Sequence, residues 1–105
     1  MLSRLMQIRK TRWSKVYESS EEELVTWLQS RNIQTTRWMA AEFEQLEVRT
    51  LPIPTDLYLA EGSAKLQADT TTYSLQPGDT IHFPANTKIS LTAGMSGCVC
   101  YETVG

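Results

Sequence analysis

Two different periods of apolar and polar residues run along this chain. Leu24, Trp27 and Leu28 recur at helical spacing, with polar residues between them. Ser20 stands three residues before Glu23, the pairing of a capping box, and Ser19 with Glu22 offers the neighbouring register. Glu21, Glu22 and Glu23 fill the first turn, where the helix dipole favours negative charge. Asn32 suits a left-handed stop. These signals predict a helix over 20–31 that packs its apolar stripe onto another element.

From Gln34 onward the period falls to two. Thr35 to Met39 is β-branched and aromatic, and Leu46 and Val48 alternate with Gln45, Glu47 and Arg49 across 42–51. Pro52 and Pro54 interrupt the ladder. Leu57 to Ala60 reads as a short strand ended by Glu61-Gly62. Ala64, Leu66 and Ala68 alternate with polar residues, and Thr72 to Leu75 returns as the second arm of a hairpin. Gln76-Pro77-Gly78-Asp79 has proline and glycine in type II turn positions. Ile81 and Phe83 face one way and His82 the other. Ile89 and Leu91 form a strand, 93–97 a loop, and 98–102 the last strand. Some seven short strands between turns make a sandwich or small barrel over about 34–102.

The opening residues fit neither pattern well. Met1 to Lys15 has Leu2, Leu5 and Met6 at helical spacing among basic residues, which predicts a tail or a short helix, marginal by itself in water. A single domain over 16–104 follows. Residues 1–17 hold five cations and no acid, which leaves the rest at −7 within a whole-chain charge of −2. An acidic body does not neutralise phosphates, so nucleic acid is excluded as its partner. No apolar run is long enough to span a membrane, and the first ten residues build no signal-peptide core. Cys98 and Cys100 lie two apart on one strand and point the same way, so reduced thiols in a cytoplasmic setting are expected.

The order of turns resembles a known family. The stretch Leu57-Tyr58-Leu59-Ala60-Glu61-Gly62, then Leu75-Gln76-Pro77-Gly78-Asp79, then Phe83-Pro84-Ala85-Asn86-Thr87, is similar to the two motifs of the cupins. The likeness runs from about Trp13 to Glu102. It implies a mainly β fold, a cupin-type jelly-roll barrel with one N-terminal α-helix. It also implies a homodimer made through the N-terminal segment, here Trp13 and the Leu24/Trp27/Leu28 stripe. Cupins usually hold a divalent metal with three histidines and a glutamate. In this register those positions fall on Arg49, Leu51, Thr55 and Ile89. Arginine has no lone pair to give, leucine and isoleucine have no donor atom, and threonine is a poor ligand for borderline metals. With His82 the chain's one histidine, a three-histidine site cannot be assembled, and no metal or other cofactor is expected.

Four residues remain as ligand-binding candidates, namely Glu47, Arg49, Tyr58 and His82. Glu47 and Arg49 share a strand parity, which in this register faces the barrel interior, where a guanidinium binds anions well. His82 is the chain's one side chain of a type whose unperturbed pKa lies near neutrality, and Tyr58 and the tryptophans read first as core anchors. The two cysteines read first as ordinary buried or semi-buried thiols, since a structural metal site needs four soft ligands, His82 is the only obvious third and nothing supplies a fourth. No catalytic residue is assigned. The expected function is a non-catalytic, metal-free cupin-fold protein that binds a small polar or anionic ligand or a protein partner. The alternative is a metal-independent enzyme, isomerase- or epimerase-like, acting on a small polar molecule.

Overall fold

Ser20 starts the helix as its sequence requires. Its hydroxyl accepts from the Glu23 N–H at 3.2 Å, while the Glu23 carboxylate accepts from the Ser20 N–H at 3.1 Å. The helix α1 (Glu21–Ser30) ends before Asn32, whose φ of 59° is left-handed. The computed structural model describes residues 7–14 and 19–104. Its strands are β1 (Arg9–Arg12), β2 (Thr35–Ala40), β3 (Arg49–Leu51), β4 (Thr55–Ala68), β5 (Thr71–Leu75), β6 (Asp79–Phe83) and β7 (Thr87–Thr103).

All seven strands join one antiparallel sheet. Its path is β1-β6-β4-β7-β2, with β3 added to β7 and β5 to β4. The long strands β4 and β7 fold this sheet over on itself. They pair from Leu57 to Ala68, with register shifts at Leu59/Glu61 and Gly62/Ala64. The bend brings backbones close together, and a Cβ on Gly62 (φ 78°) would meet the Gly97 carbonyl oxygen at 2.0 Å. What the sequence divides into two strands on either side of 61–63, and again around 93–97, is therefore one bent strand each time. The Gln76–Asp79 turn forms as read, closed by the Asp79 N–H on the Gln76 carbonyl at 3.0 Å.

Between the folded halves lies the main core, which includes Leu57, Leu59, Leu66, Ile81, Phe83, Ile89, Leu91, Cys98 and Cys100. A second cluster lies on the outside of the sheet, where Leu24 and Leu28 cover Tyr58 and Ala60. The helical stripe expected to make a dimer is thus used within the chain. Leu24 and Leu28 are buried against the chain's own sheet, and Trp27 stacks on Trp13 and Tyr58 at 6.0 and 5.8 Å between ring centroids.

The opening segment also departs from expectation. Arg9–Arg12 is neither tail nor helix. It pairs with β6 from Arg9↔His82 to Arg12↔Asp79. The reason is electrostatic. Asp79 is only 4% exposed, and a buried carboxylate needs partners. Arg12 reaches it at 2.8 Å and Lys10 at 3.6 Å. The part of that reading that concerns residues 1–6 and 15 lies outside the described residues.

Candidate functional site

The four positions expected from the resemblance to stand for metal ligands do not gather at one point. Arg49 and Ile89 are direct cross-strand partners on β3 and β7. Leu51 and Ile89 are 3% and 4% exposed and belong to the main core. The buried Thr55 spends its hydroxyl on the Ile53 carbonyl at 2.9 Å. Arg49 turns to the rim, where its guanidinium bonds to Glu102. Glu102 also accepts from the Trp38 indole at 3.3 Å.

Glu47 and Arg49, which strand parity would turn together into the barrel, are separated by the structure. Glu47 is exposed and lies outside any strand, because the 42–51 stretch does not run as a regular strand. Phe43 takes a left-handed φ of 56°, and the Glu44 carboxylate accepts from the Ala41 N–H, which turns the chain here. Only Gln45 bridges to Thr92 before β3 begins. Glu47 and Arg49 do border one crevice with Trp38 and Leu57, but its volume is about 10 Å³, room for at most a single water.

Tyr58 and His82 lie on the other side of the sheet. Tyr58 is buried beneath α1, and burial, reinforced by the negative charge of Asp56, pushes its phenol up to about 12. His82 bonds through Nδ1 to Asp56 Oδ1 and through Nε2 to Thr11 Oγ1, each at 2.8 Å. The tautomer with Nδ1–H donating to the carboxylate leaves Nε2 to accept from the Thr11 hydroxyl. Thr80 lies on this face too, and its hydroxyl has no partner among the described residues. Neither Asp56 nor Thr11 stood out in the sequence. Asp56 shares a parity with Tyr58, but nothing local announces that β1 will pair with β6.

No family model matches the sequence, and no curated protein matches it either. Solved structures do. A cupin superfamily protein from Desulfitobacterium hafniense superposes with a TM-score of 0.62 at 15% identity, over 93% of this chain and 76% of that one. A conserved protein of unknown function from Streptococcus pyogenes gives 0.60 at 16%, over 93% and 74%. A DUF861 family protein from Thermotoga maritima gives 0.63 at 11%, over 94% and 100%. The chain has the cupin fold. At these identities the likeness speaks for the fold alone.

The residues present do not fit the metal that cupins usually hold. Two of the four positions carry hydrocarbon packed into the core, the third a hydroxyl already bonded to backbone, and the fourth a cation. Among the described residues no group of three or more His, Cys, Asp or Glu side chains is placed to hold a metal ion. No helix of the described residues is long and apolar enough to cross a membrane.

Space lies elsewhere on this chain. A pocket of about 310 Å³ opens beside Phe43, floored by Ala64, Leu75 and Ala93 and edged by Lys65 and Gln76. That volume is at the lower end of small-molecule sites. Lys65 has no carboxylate partner among the described residues. Phe43 is 65% exposed and neighbouring Met95 73%. Little in the sequence announces this pocket. Its one local signal, the charged Lys65 on an alternating strand, reads as an ordinary solvated face.

Proposed function

We propose that this cupin-fold chain is a non-catalytic, metal-free binding protein. Its ligand, a small polar or anionic molecule, sits in the pocket beside Phe43 and Lys65. The observation that supports this reading is the apolar core, where Leu51 and Ile89, expected from the resemblance at ligand positions, are buried and offer no donor atom. The pocket has apolar walls for contact and an ammonium to meet a carboxylate or phosphate.

A thermal-shift screen of small carboxylates, phosphates and sugars tests it. A ligand at about 100 times its dissociation constant adds roughly 2.7 kcal/mol of stability. Stabilisation is expected to vanish in Lys65→Met and to persist in Arg49→Met. A hit that shifts both variants equally removes the pocket from the reading. A silent screen moves the reading to a protein partner at Phe43 and Met95. Elemental analysis of the desalted protein is expected to find no stoichiometric iron, manganese, nickel or zinc.

A second reading, metal-independent catalysis, has its own observation. The Asp56–His82–Thr11 chain is the order of carboxylate, imidazole and hydroxyl that activates an oxygen nucleophile. Hydrolysis of p-nitrophenyl acetate that is lost in both Thr11→Val and His82→Ala supports it. Equal rates in all three proteins leave the chain as a clamp on β1.

A further inference from the structure

We infer that the pocket beside Phe43 is one half of a longer site, whose second half is a basic subsite at Lys10, and that the ligand is an elongated dianion with hydrocarbon between its two charged ends. This rests on the reading that a ligand sits beside Phe43 and Lys65, and it adds the class of molecule.

Two cavities meet over the end of β5. The Phe43 pocket is edged by Lys65, Ser74 and Gln76. A second cavity, of about 440 Å³, is lined by Lys10, Thr11, Arg12, Ser74, Gln76 and Asp79. Ser74 and Gln76 thus border both spaces. The topology accounts for the opening. Among the described residues β1 pairs only with β6 and β5 only with β4, so each keeps one free edge, and the second cavity takes its walls from both. On the other side, Thr92, Lys65 and Ser74 form one cross-strand row over β7, β4 and β5. Residues opposite one another in a sheet share a face, so Lys65 and Ser74 point to the same side. Neighbouring strands lie about 5 Å apart, and two residues span about 7 Å along a strand, which sets the two subsites on the order of 10 Å apart.

The charges decide what fits. The second cavity holds two cations and one carboxylate, and that carboxylate is satisfied without Lys10. Asp79 accepts from Arg12 and from the Gln76 N–H, each at 2.8 Å. Arg12 is held further by the carbonyls of Ser14 and Pro77. Lys10 stands 3.6 Å from Asp79, beyond hydrogen-bond length, and its side chain is 40% exposed. Its ammonium can therefore turn its donors to a ligand while Arg12 keeps Asp79. Among the described residues Asp79 is the one carboxylate that lines either cavity. Lys65 at one end and Lys10 at the other leave this strip positive on a chain whose net charge is −2, which draws a molecule with an anionic group at each end. The floor of Ala64, Leu75 and Ala93 gives hydrocarbon a surface between them, and Ser74 and Gln76 add neutral donors.

The test is calorimetric titration of the full chain with straight-chain α,ω-dicarboxylates from succinate to sebacate, each beside the monocarboxylate of equal carbon number. At the length that spans both subsites the dicarboxylate is expected to bind about tenfold tighter or more, since it gains a second charge-assisted contact. That ratio should fall to near one in Lys10→Met and return in Lys10→Arg, while Lys65→Met weakens both members of the pair. Amide NMR shifts of the wild type supply a readout that needs no variant. The spanning dicarboxylate should shift the amides of Lys10, Thr11 and Arg12 as well as those around Lys65, and the monocarboxylate only the latter. Dicarboxylates that bind no tighter than monocarboxylates at any length, a ratio that survives Lys10→Met, or unmoved β1 amides would each overturn the second subsite and leave the Phe43 pocket standing. Failure of both classes to bind would remove the pocket and the subsite together.

Discussion

Arg49 is joined to Glu102, a residue 53 positions away, and not to Glu47 two positions before it. That partnership places the cation at the rim of the barrel. The two side chains are 45% and 19% exposed, so this is a half-solvated pair. Exposed pairs contribute about 0–1 kcal/mol. Arg49→Met is therefore expected to cost about 1 kcal/mol in urea denaturation, since Glu102 keeps its bond to the Trp38 indole. A loss of 3–5 kcal/mol, typical when a buried pair is broken, would show the pair to be part of the interior.

The N-terminal strand makes the opposite case. Asp79 draws Arg12 and Lys10 onto β6 and is itself almost fully buried. A chain beginning at Trp13 removes both cations from that carboxylate, which keeps the Gln76 N–H as a donor. The expected cost is roughly 3 kcal/mol or more, which at about 4–8 °C per kcal/mol lowers the melting temperature by more than about 10 °C. Adding Asp79→Asn to the shortened chain should recover part of the loss. An unchanged melting temperature would show β1 to be dispensable.

What was legible in the sequence is local. The capping box of Ser20 and Glu23, the Asn32 stop and the Pro77-Gly78 turn each depend on residues within a few positions of one another, and all of them formed as read. The order of turns carried the cupin fold in the same way. The errors lie where a partner is far along the chain. Arg12 finds Asp79 and Arg49 finds Glu102, and no window of ten residues contains either pair. The alternation over 42–51 misled for a different reason. A left-handed Phe43 and the Glu44 turn interrupt a stretch whose polarity looks continuous. Of the four ligand candidates, His82 was placed on its correct face, but its partners Asp56 and Thr11 became visible only with the strand pairing.

The helix packs its stripe within its own chain. Leu28 is buried against the chain's own sheet. Leu28→Ala is expected to cost about 2–5 kcal/mol, the range for a large core residue truncated to alanine. Light scattering should give wild type and variant the same mass. A variant that stays fully stable but dissociates would return the stripe to a dimer interface.

Tyr58 predicts a response to alkali. Its folded value of about 12 lies above the ordinary 10. A group raised in this way contributes stability that is fully present below pH 10 and is lost as pH rises through 12. Two pH units correspond to roughly 2–3 kcal/mol. Tyr58→Phe is therefore expected to lose less stability than wild type between pH 10 and pH 12, a difference readable by urea denaturation at each pH. Parallel losses in the two proteins would show that the phenol titrates at its ordinary value.

Phe43 offers the sharpest test of the pocket. A non-glycine residue with a left-handed φ costs about 1–2 kcal/mol, and at 65% exposure this side chain recovers little of that by burial. A residue there for folding alone would be asparagine or glycine, which tolerate the conformation. Phe43→Asn is therefore expected to leave the chain as stable as wild type or up to about 1 kcal/mol more stable. The same change removes the aromatic wall of the pocket beside Lys65. If the pocket is where the ligand sits, the stabilised variant should lose most of its ligand-induced thermal shift. Loss of stability in Phe43→Asn would mean that the ring packs where it stands. Undiminished ligand response would mean that the wall is not used. The combination of gained stability and lost binding is the outcome that only a functional Phe43 produces.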